Sequence, residues 1–396
     1  MTVIARKIPA LRFPEFEGEW EENVLGRIAS FSKGKGILKS ELNENGALEC
    51  ITYGELYTKY SELVDQIYSR TDLDSNKLVL SNANDVIIPA SGETHIDIAT
   101  ASCVLREGIA LGGDLNIIRS QSNSNGVFLA YYLNNRRKNH IARLAQGSSV
   151  IHLYSSQLKL LKLHLPEPVE QQKIATFLTT IDTRIQQLSR KKALLEQYKK
   201  GVMQQIFSQE IRFKDEEGKE FPAWEEKKIN KLFKVTRGNV LATSSVQPAQ
   251  DDIYKYPVFS SQTKNKGLLG FYKEYLYKDA ITWTTDGANA GDVNFRKSKF
   301  YCTNVCGVLL SDKGYANQCI AAILNRVTRK YVSYVGNPKL MNNVMAEIKI
   351  LVPNSIFEQQ KIAAFLSAID VKIDEVSQQL ERMQTSKKGL LQQMFV

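Results

Sequence analysis

The chain has 396 residues, 43% hydrophobic and 24% charged, with a net charge of +10 and a pI near 9.1. That length suits two or three globular domains with separate cores, and the basic balance suits a polyanionic partner, because Lys and Arg on phosphates release counterions. The five cysteines form no C-x-x-C pair and support neither a disulfide framework nor a zinc ribbon. Met1 to Phe13 is too short of apolar residues for a signal peptide or membrane span, so a cytoplasmic protein with no membrane partner is expected.

The entry segment carries Leu11-Arg12-Phe13, Trp20-Glu21-Glu22 and Gly34, and it is echoed by Ile211-Arg212-Phe213, Trp224-Glu225-Glu226 and Gly238. Trp and Gly are separated by the same length both times, an offset of 204 residues (20 to 224, 34 to 238). Strand-like runs follow at Lys77-Leu78-Val79-Leu80, at Asp85 to Pro89 and from Ala110 to Ile118. Turns fall at Ser91-Gly92 and Gly112-Gly113-Asp114, and a helix from Val127 ends on a Leu-Asn step at Asn134. The polar or basic candidates for base edges and phosphates in this body are Lys33, Lys35, Ser91, Thr94, His95 and Arg119.

A β-like run, Leu161 to Leu165, stops at Pro166 and opens a long helix with Glu170 in its first turn, where negative charge suits the dipole. Along that helix Ile181, Ile185, Leu188, Lys192, Leu195, Lys199, Val202 and Ile206 recur in steps of four and three, a heptad seam. The lysines weaken seam packing but can fix register or orientation.

The second body offers strands at Tyr256 to Phe259, Ala280 to Thr284 and Val305 to Leu310, a turn at Thr285-Asp286-Gly287 and a helix from Gln318 to Asn325. Asp85-Val86-Ile87-Ile88 and Asp279-Ala280-Ile281-Thr282 look like matching strands, so one fold with two sets of loops is expected. Its candidate DNA contacts are Arg237, Ser260, Ser261, Gln262, Lys264, Asn265, Lys266, Thr285, Asn289, Arg296 and Lys297. Gln and Asn suit adenine, and Lys suits guanine or phosphate.

A second helix then repeats the first. Glu170-Gln171-Gln172-Lys173-Ile174-Ala175 returns as Glu358-Gln359-Gln360-Lys361-Ile362-Ala363, an offset of 188 residues (170 to 358) that holds to Phe207 and Phe395. Its seam is Ile369, Ile373, Val376, Leu380, Met383, Lys387, Leu390 and Met394. A period this long marks a duplicated domain-plus-helix unit. The chain path makes the helices antiparallel, with a pseudo-two-fold axis and the C-terminus returning near the start. Thr183 to Phe207 would span roughly 38 Å, close to one DNA turn of roughly 34–36 Å, a ruler between half-sites. The fold class is therefore α+β, with two mixed α/β domains separated by two long helices that form an antiparallel coiled coil. The boundaries fall at 1–165, 166–210, 211–352 and 353–396.

No G-x-x-x-x-G-K-[ST] loop is present, and Gly336-Asn337-Pro338-Lys339 lacks the second proline and aromatic of an adenine methyltransferase motif. The four histidines lie in the first half without metal spacing, so neither a catalytic nor a metal site is expected. Two bodies joined by the twice-used Glu-Gln-Gln-Lys-Ile-Ala-x-Phe-Leu-x-x-Ile-Asp helix resemble the specificity subunit of type I restriction-modification systems across essentially the whole chain. The resemblance implies a non-catalytic subunit whose two target-recognition domains each read half of a split, asymmetric double-stranded DNA sequence. It also implies docking of two methyltransferase subunits and two restriction/translocase subunits, with S-adenosylmethionine, ATP and Mg on those partners and no cofactor here. Lys192 departs from the duplication, since its counterpart is Leu380. From the residues alone, a duplicated enzyme or a protein-binding adaptor stays open.

Overall fold

A computed structural model of the chain describes residues 7–121, 124–261 and 264–396. It divides into two compact units, Met1–Ser189 with Gln379–Val396 and Arg190–Gln378.

In the first unit, strands Glu21–Val24 and Lys162–Leu165 pair antiparallel and set the entry segment beside the run that precedes the first long helix. The main sheet has the order Ala29–Lys33, Leu115–Ser120, Asp85–Pro89, Ser102–Val104, Leu63–Val64, antiparallel except for the final pair. Helix Gly126–Tyr132 packs Phe128, Tyr131 and Tyr132 into a core with Trp20 and Phe395. The Asn125 side chain caps it by accepting from the Phe128 amide at 2.9 Å. The helix runs into a π-helical turn, Leu133–Arg137, where the Asn134 amide grips both backbone groups of Ala101 at 2.7 and 2.8 Å. The Leu-Asn step thus ties helix to sheet. Only the end of the run Lys77 to Leu80 is extended, with Leu80 bridged to Ala110; Ser75–Lys77 is a 3-10 turn in which Asp74 accepts from the Asn76 amide at 3.0 Å, a local bond that outcompetes extension there.

In the second unit, Glu225–Lys228 pairs antiparallel with Lys349–Val352. The sheet order is Lys234–Arg237, Cys306–Leu310, Tyr277–Thr284, Val293–Cys302, Tyr256–Phe259, Leu268–Tyr272. Its first four places match the other sheet in order and in strand direction, while Tyr256–Phe259 runs parallel to Tyr301 and Cys302 as Leu48–Ile51 runs parallel to Ala110–Leu111 in a separate three-stranded sheet of the first unit. The strand correspondence needs a one-residue correction. Leu153 donates to the Ala90 carbonyl and Leu340 to the Thr285 carbonyl, each at 2.9 Å, which aligns Asp85 with Ala280 rather than Asp279. The extra residue is taken up in a bulge between Lys278 and Ala280, where Asp279 has φ 47°.

The long helices are Pro168–Phe207 and Ile356–Met394. Within the first unit, Met394 and Phe395 share a core with Ile174, Ala175 and Leu178, while Lys387 reaches Asp182 at 2.7 Å. Within the second, Ile206 packs with Ile362 and Leu366, while Lys199 reaches Asp370 at 2.5 Å. One helix advances as the other retreats, so each pairing is antiparallel. Leu188, Ile206, Ile369, Val376 and Met394 are buried. Ile181, Ile185, Leu195, Val202, Ile373, Leu380, Met383 and Leu390 are half-buried among exposed neighbours. The chain end returns to the first unit, where the Leu11 amide donates to the Gln393 carbonyl at 3.0 Å.

The repeated signature proves to be an internal fastener. Glu170 takes the Arg12 guanidinium through Nε and Nη2 at 2.8 and 2.7 Å, and Glu358 takes Arg212 at 3.2 Å and the Trp224 indole N–H at 3.1 Å. Gln171 and Gln359 donate to the Pro166 and Pro353 carbonyls at 2.8 Å each, and accept from Asn125 and Asn317. Phe13 meets Phe177 edge-on, and Phe213 meets Phe365 likewise.

Candidate nucleic-acid interface

The variable loops gather at one end of each sheet because the frame delivers the strand ends there. In the first unit Lys33 lies opposite Asn116, and Asn116 lies opposite Ile88, so Lys33 shares an end with Ser91–His95. Arg237 holds the equivalent place in the second unit, opposite Gly307, which lies opposite Trp283. The two stand 204 residues apart, the offset of the paired tryptophans, and both side chains are exposed. Gly34 and Gly238 follow them; a Cβ there would meet the Gly112 carbonyl at 1.9 Å or the Cys302 carbonyl at 2.2 Å, so close backbone approach requires glycine.

In the second unit the candidates form a connected rim. Arg296 is buried on strand Val293–Cys302, donating from Nε to the Thr282 hydroxyl at 3.0 Å and from Nη2 to the Lys266 carbonyl at 2.7 Å. Its guanidinium lies 3.7 Å from the Phe259 ring centroid. Burial lowers its pKa to about 10, with the neighbouring Cys306 and Cys302 acting weakly in the opposite sense. Among the described residues it has no carboxylate within ion-pair distance, so its charge is balanced only by a hydroxyl, a carbonyl and a ring face. The loop above it turns through left-handed Asn265 and Lys266, with φ 51° and 53°. Lys266 lies 3.8 Å from Asp374 on the second long helix. The Asn289 amide donates to the Ser261 carbonyl at 3.4 Å, and Thr303 bonds Ser260 at 3.0 Å.

Other candidates hold structure. Thr285 is fully buried between the Asp286 carboxylate at 2.6 Å and the Val305 carbonyl at 3.0 Å. Arg119 is gripped by Asp85 at 2.9 and 2.7 Å, a bond that raises its pKa. Ser91 is buried with its hydroxyl 3.1 Å from His152 Nδ1, and Thr94 caps a turn through the Asp97 amide at 3.1 Å. Lys35 and His95 are exposed, with Lys35 bridged to Gly112. Lys297 is exposed beside the bulge where the Ser298 amide donates to Asp279 at 2.7 Å. Gln262 lies outside the described residues.

The sequence reading missed two matching hairpins. Gln146 bridges His152, and Ser333 bridges Lys339, 187 residues further on (146 to 333). Each is pinned to its rim loop: Ile151 and His152 pair with Gly92 and Ser91, while Lys339 bridges Asp286 and the Pro338 carbonyl accepts from Gly287 at 2.9 Å. Gly147-Ser148-Ser149 and Gly336-Asn337-Pro338 were the available turn signals.

Two divergent loop sets on a duplicated α/β frame, with basic residues at matching strand ends, give a two-unit protein suited to a polyanionic partner. The family model described as "Type I restriction modification DNA specificity domain" matches residues 17–197 and 223–383, and the chain belongs to that family. A Mycoplasma pneumoniae protein named as a type I specificity subunit N-terminus is 36% identical over 143 residues, covering 35% of this chain and 74% of its own length. The type I restriction enzyme MpnII specificity subunit of the same organism is 32% identical over 147 residues, 36% of this chain and 42% of its own length. The S subunit structure from M. genitalium superposes with a TM-score of 0.73 at 17% identity, covering 98% of this chain and 99% of that one, which is a likeness of fold. Among the described residues no helix is long and apolar enough to cross a membrane.

Proposed function

We propose that this specificity subunit reads a bipartite, asymmetric double-stranded DNA target, one unit's loop rim reading each half. On this reading the paired helices set the spacer, and the chain positions two adenine methyltransferase subunits and two restriction/translocase subunits. S-adenosylmethionine, ATP and Mg belong to those partners. The observation that carries the reading is the contrast between the frame, in which four sheet strands and the helix fasteners recur, and the rims, whose loops share little beyond Gly92 and Gly287 at the same end of each sheet. The rim of the second unit, with Arg296 beneath Lys266 and beside Ser260, Ser261 and Asn289, has the donors that base edges and phosphates take. Mapping methylated adenines in DNA modified by the assembled complex tests it. Two different half-sites at a fixed spacing are expected; modification without sequence preference would overturn the reading.

A further inference from the structure

The hairpins Gln146–His152 and Ser333–Lys339 have the same length, the same anchoring and different tips. At the second tip Tyr334 is 69% exposed and Val335 is 93% exposed, and at the first Val150 is 54% exposed. A side chain of that size held out from a bridged hairpin has no packing role in its own unit. Both hairpins follow a basic helical turn: Lys138 and Arg143 precede the first, and Arg326 and Lys330 precede the second, where Arg329 is paired with Asp292 at 2.7 Å. Each is hydrogen-bonded to its rim loop, so the tip stands at the rim's edge. Short polar turns that hold out Val150 in one hairpin and Tyr334 and Val335 in the other, flanked by cations, match duplex DNA, where the cations meet phosphates and the exposed side chains meet base edges in a groove.

We propose that the Ser333–Lys339 hairpin is a groove-inserted specificity element in which Tyr334 and Val335 make apolar contact with base edges, and that Gln146–His152 does the same for the other half-site through Val150. The inference rests on the DNA reading above. It assigns sequence preference to the tips and phosphate binding to the basic turns before them.

The test uses the chain assembled with its methyltransferase subunits and a library of randomised duplexes. Wild type is selected first; if it enriches no sequence, the DNA reading itself fails, whatever the tips do. Given enrichment, Tyr334→Ala with Val335→Ser should lose preference at positions in one half-site only and weaken binding to the selected duplex about 10-fold, with the slope of log affinity against log salt unchanged. Lys330→Ala should instead lower that slope by about 1 while the selected sequence stays the same. Val150→Ser should relax the opposite half-site. The proposal is overturned if the tip variant selects the wild-type sequence at wild-type affinity. It is equally overturned if its only effect is lost assembly with the methyltransferase, which would make the tip a protein contact. Thermal unfolding at the wild-type midpoint certifies that the variants are folded.

Discussion

Glu170 and Glu358 are carboxylates only 1% exposed, and each is held by an arginine well over a hundred residues away in sequence. Removing one partner of a buried ion pair strands the other charge, at a cost of roughly 3–5 kcal/mol. Arg12→Ala should therefore lower unfolding stability in urea by about that amount. Arg212→Ala should cost less, because Glu358 keeps the Trp224 N–H at 3.1 Å, whereas the Trp20 indole N–H has no hydrogen-bond partner among the described residues and offers Glu170 none. The opposite ranking would contradict this account. The cysteines allow a second check at the same scale. All five are buried, and burial pushes the Cys50 and Cys306 thiols up to about 11. A folded pKa above the unfolded value leaves the stabilisation whole below the unfolded pKa and removes it as pH rises through the folded one. Stability should thus fall between pH 9 and about 11. A thiol reagent at pH 8 should label the native chain far more slowly than the denatured one; immediate labelling of native thiols would show that they are accessible.

At the scale of elements, the seam lysines are the informative departure from an apolar heptad. Asp182 and Lys199 recur as Asp370 and Lys387, so the duplication gives each unit one Asp–Lys pair between its helix segments. The pairs are unequal: Lys387 also meets Glu62 at 3.3 Å and Tyr131 donates to Asp182, leaving both charged partners 16% exposed, against 24% and 26% for Lys199 and Asp370. Double-mutant cycles should give coupling of about 1–3 kcal/mol for Asp182–Lys387 and less for Lys199–Asp370, read by chemical denaturation. Equal couplings would mean that the extra partners contribute nothing. These charges explain what was legible. The heptad spacing placed Lys199 and Lys387 on the seam, because a helix converts spacing into a face. It could not supply their aspartates, which lie on another helix at no local period. Arg12 and Arg212 were likewise visible only as an echo. The hairpins escaped because their signal is a pair of short polar turns, and the Asp279 bulge hid a one-residue slip that runs of similar apolar residues cannot reveal.

For the whole molecule, the repeated frame was readable because duplication leaves identical residues at a constant offset, while the rims were not, because their chemistry depends on which loops meet at a sheet end. The functional proposal separates along the same line. Exchanging residues 38–165 for the corresponding body of a relative should change one half of the target and leave the other half, as read by methylated-adenine mapping. The helices are tested by length. A seven-residue insertion keeps the seam phase, because a heptad returns to the same face, and it adds roughly 10 Å of helix at 1.5 Å per residue. Placed in both helices, between Ser189 and Arg190 and between Ser377 and Gln378, it leaves Asp182 facing Lys387 and Asp370 facing Lys199. The expected outcome is a target with both half-sites intact and a spacer longer by about three base pairs, at roughly 3.4 Å per step. Placed in one helix alone, the same insertion shifts one seam against the other and should impair assembly instead. A doubly inserted subunit that still modifies the wild-type target at the wild-type spacing would show that the spacer is set by something other than helix length.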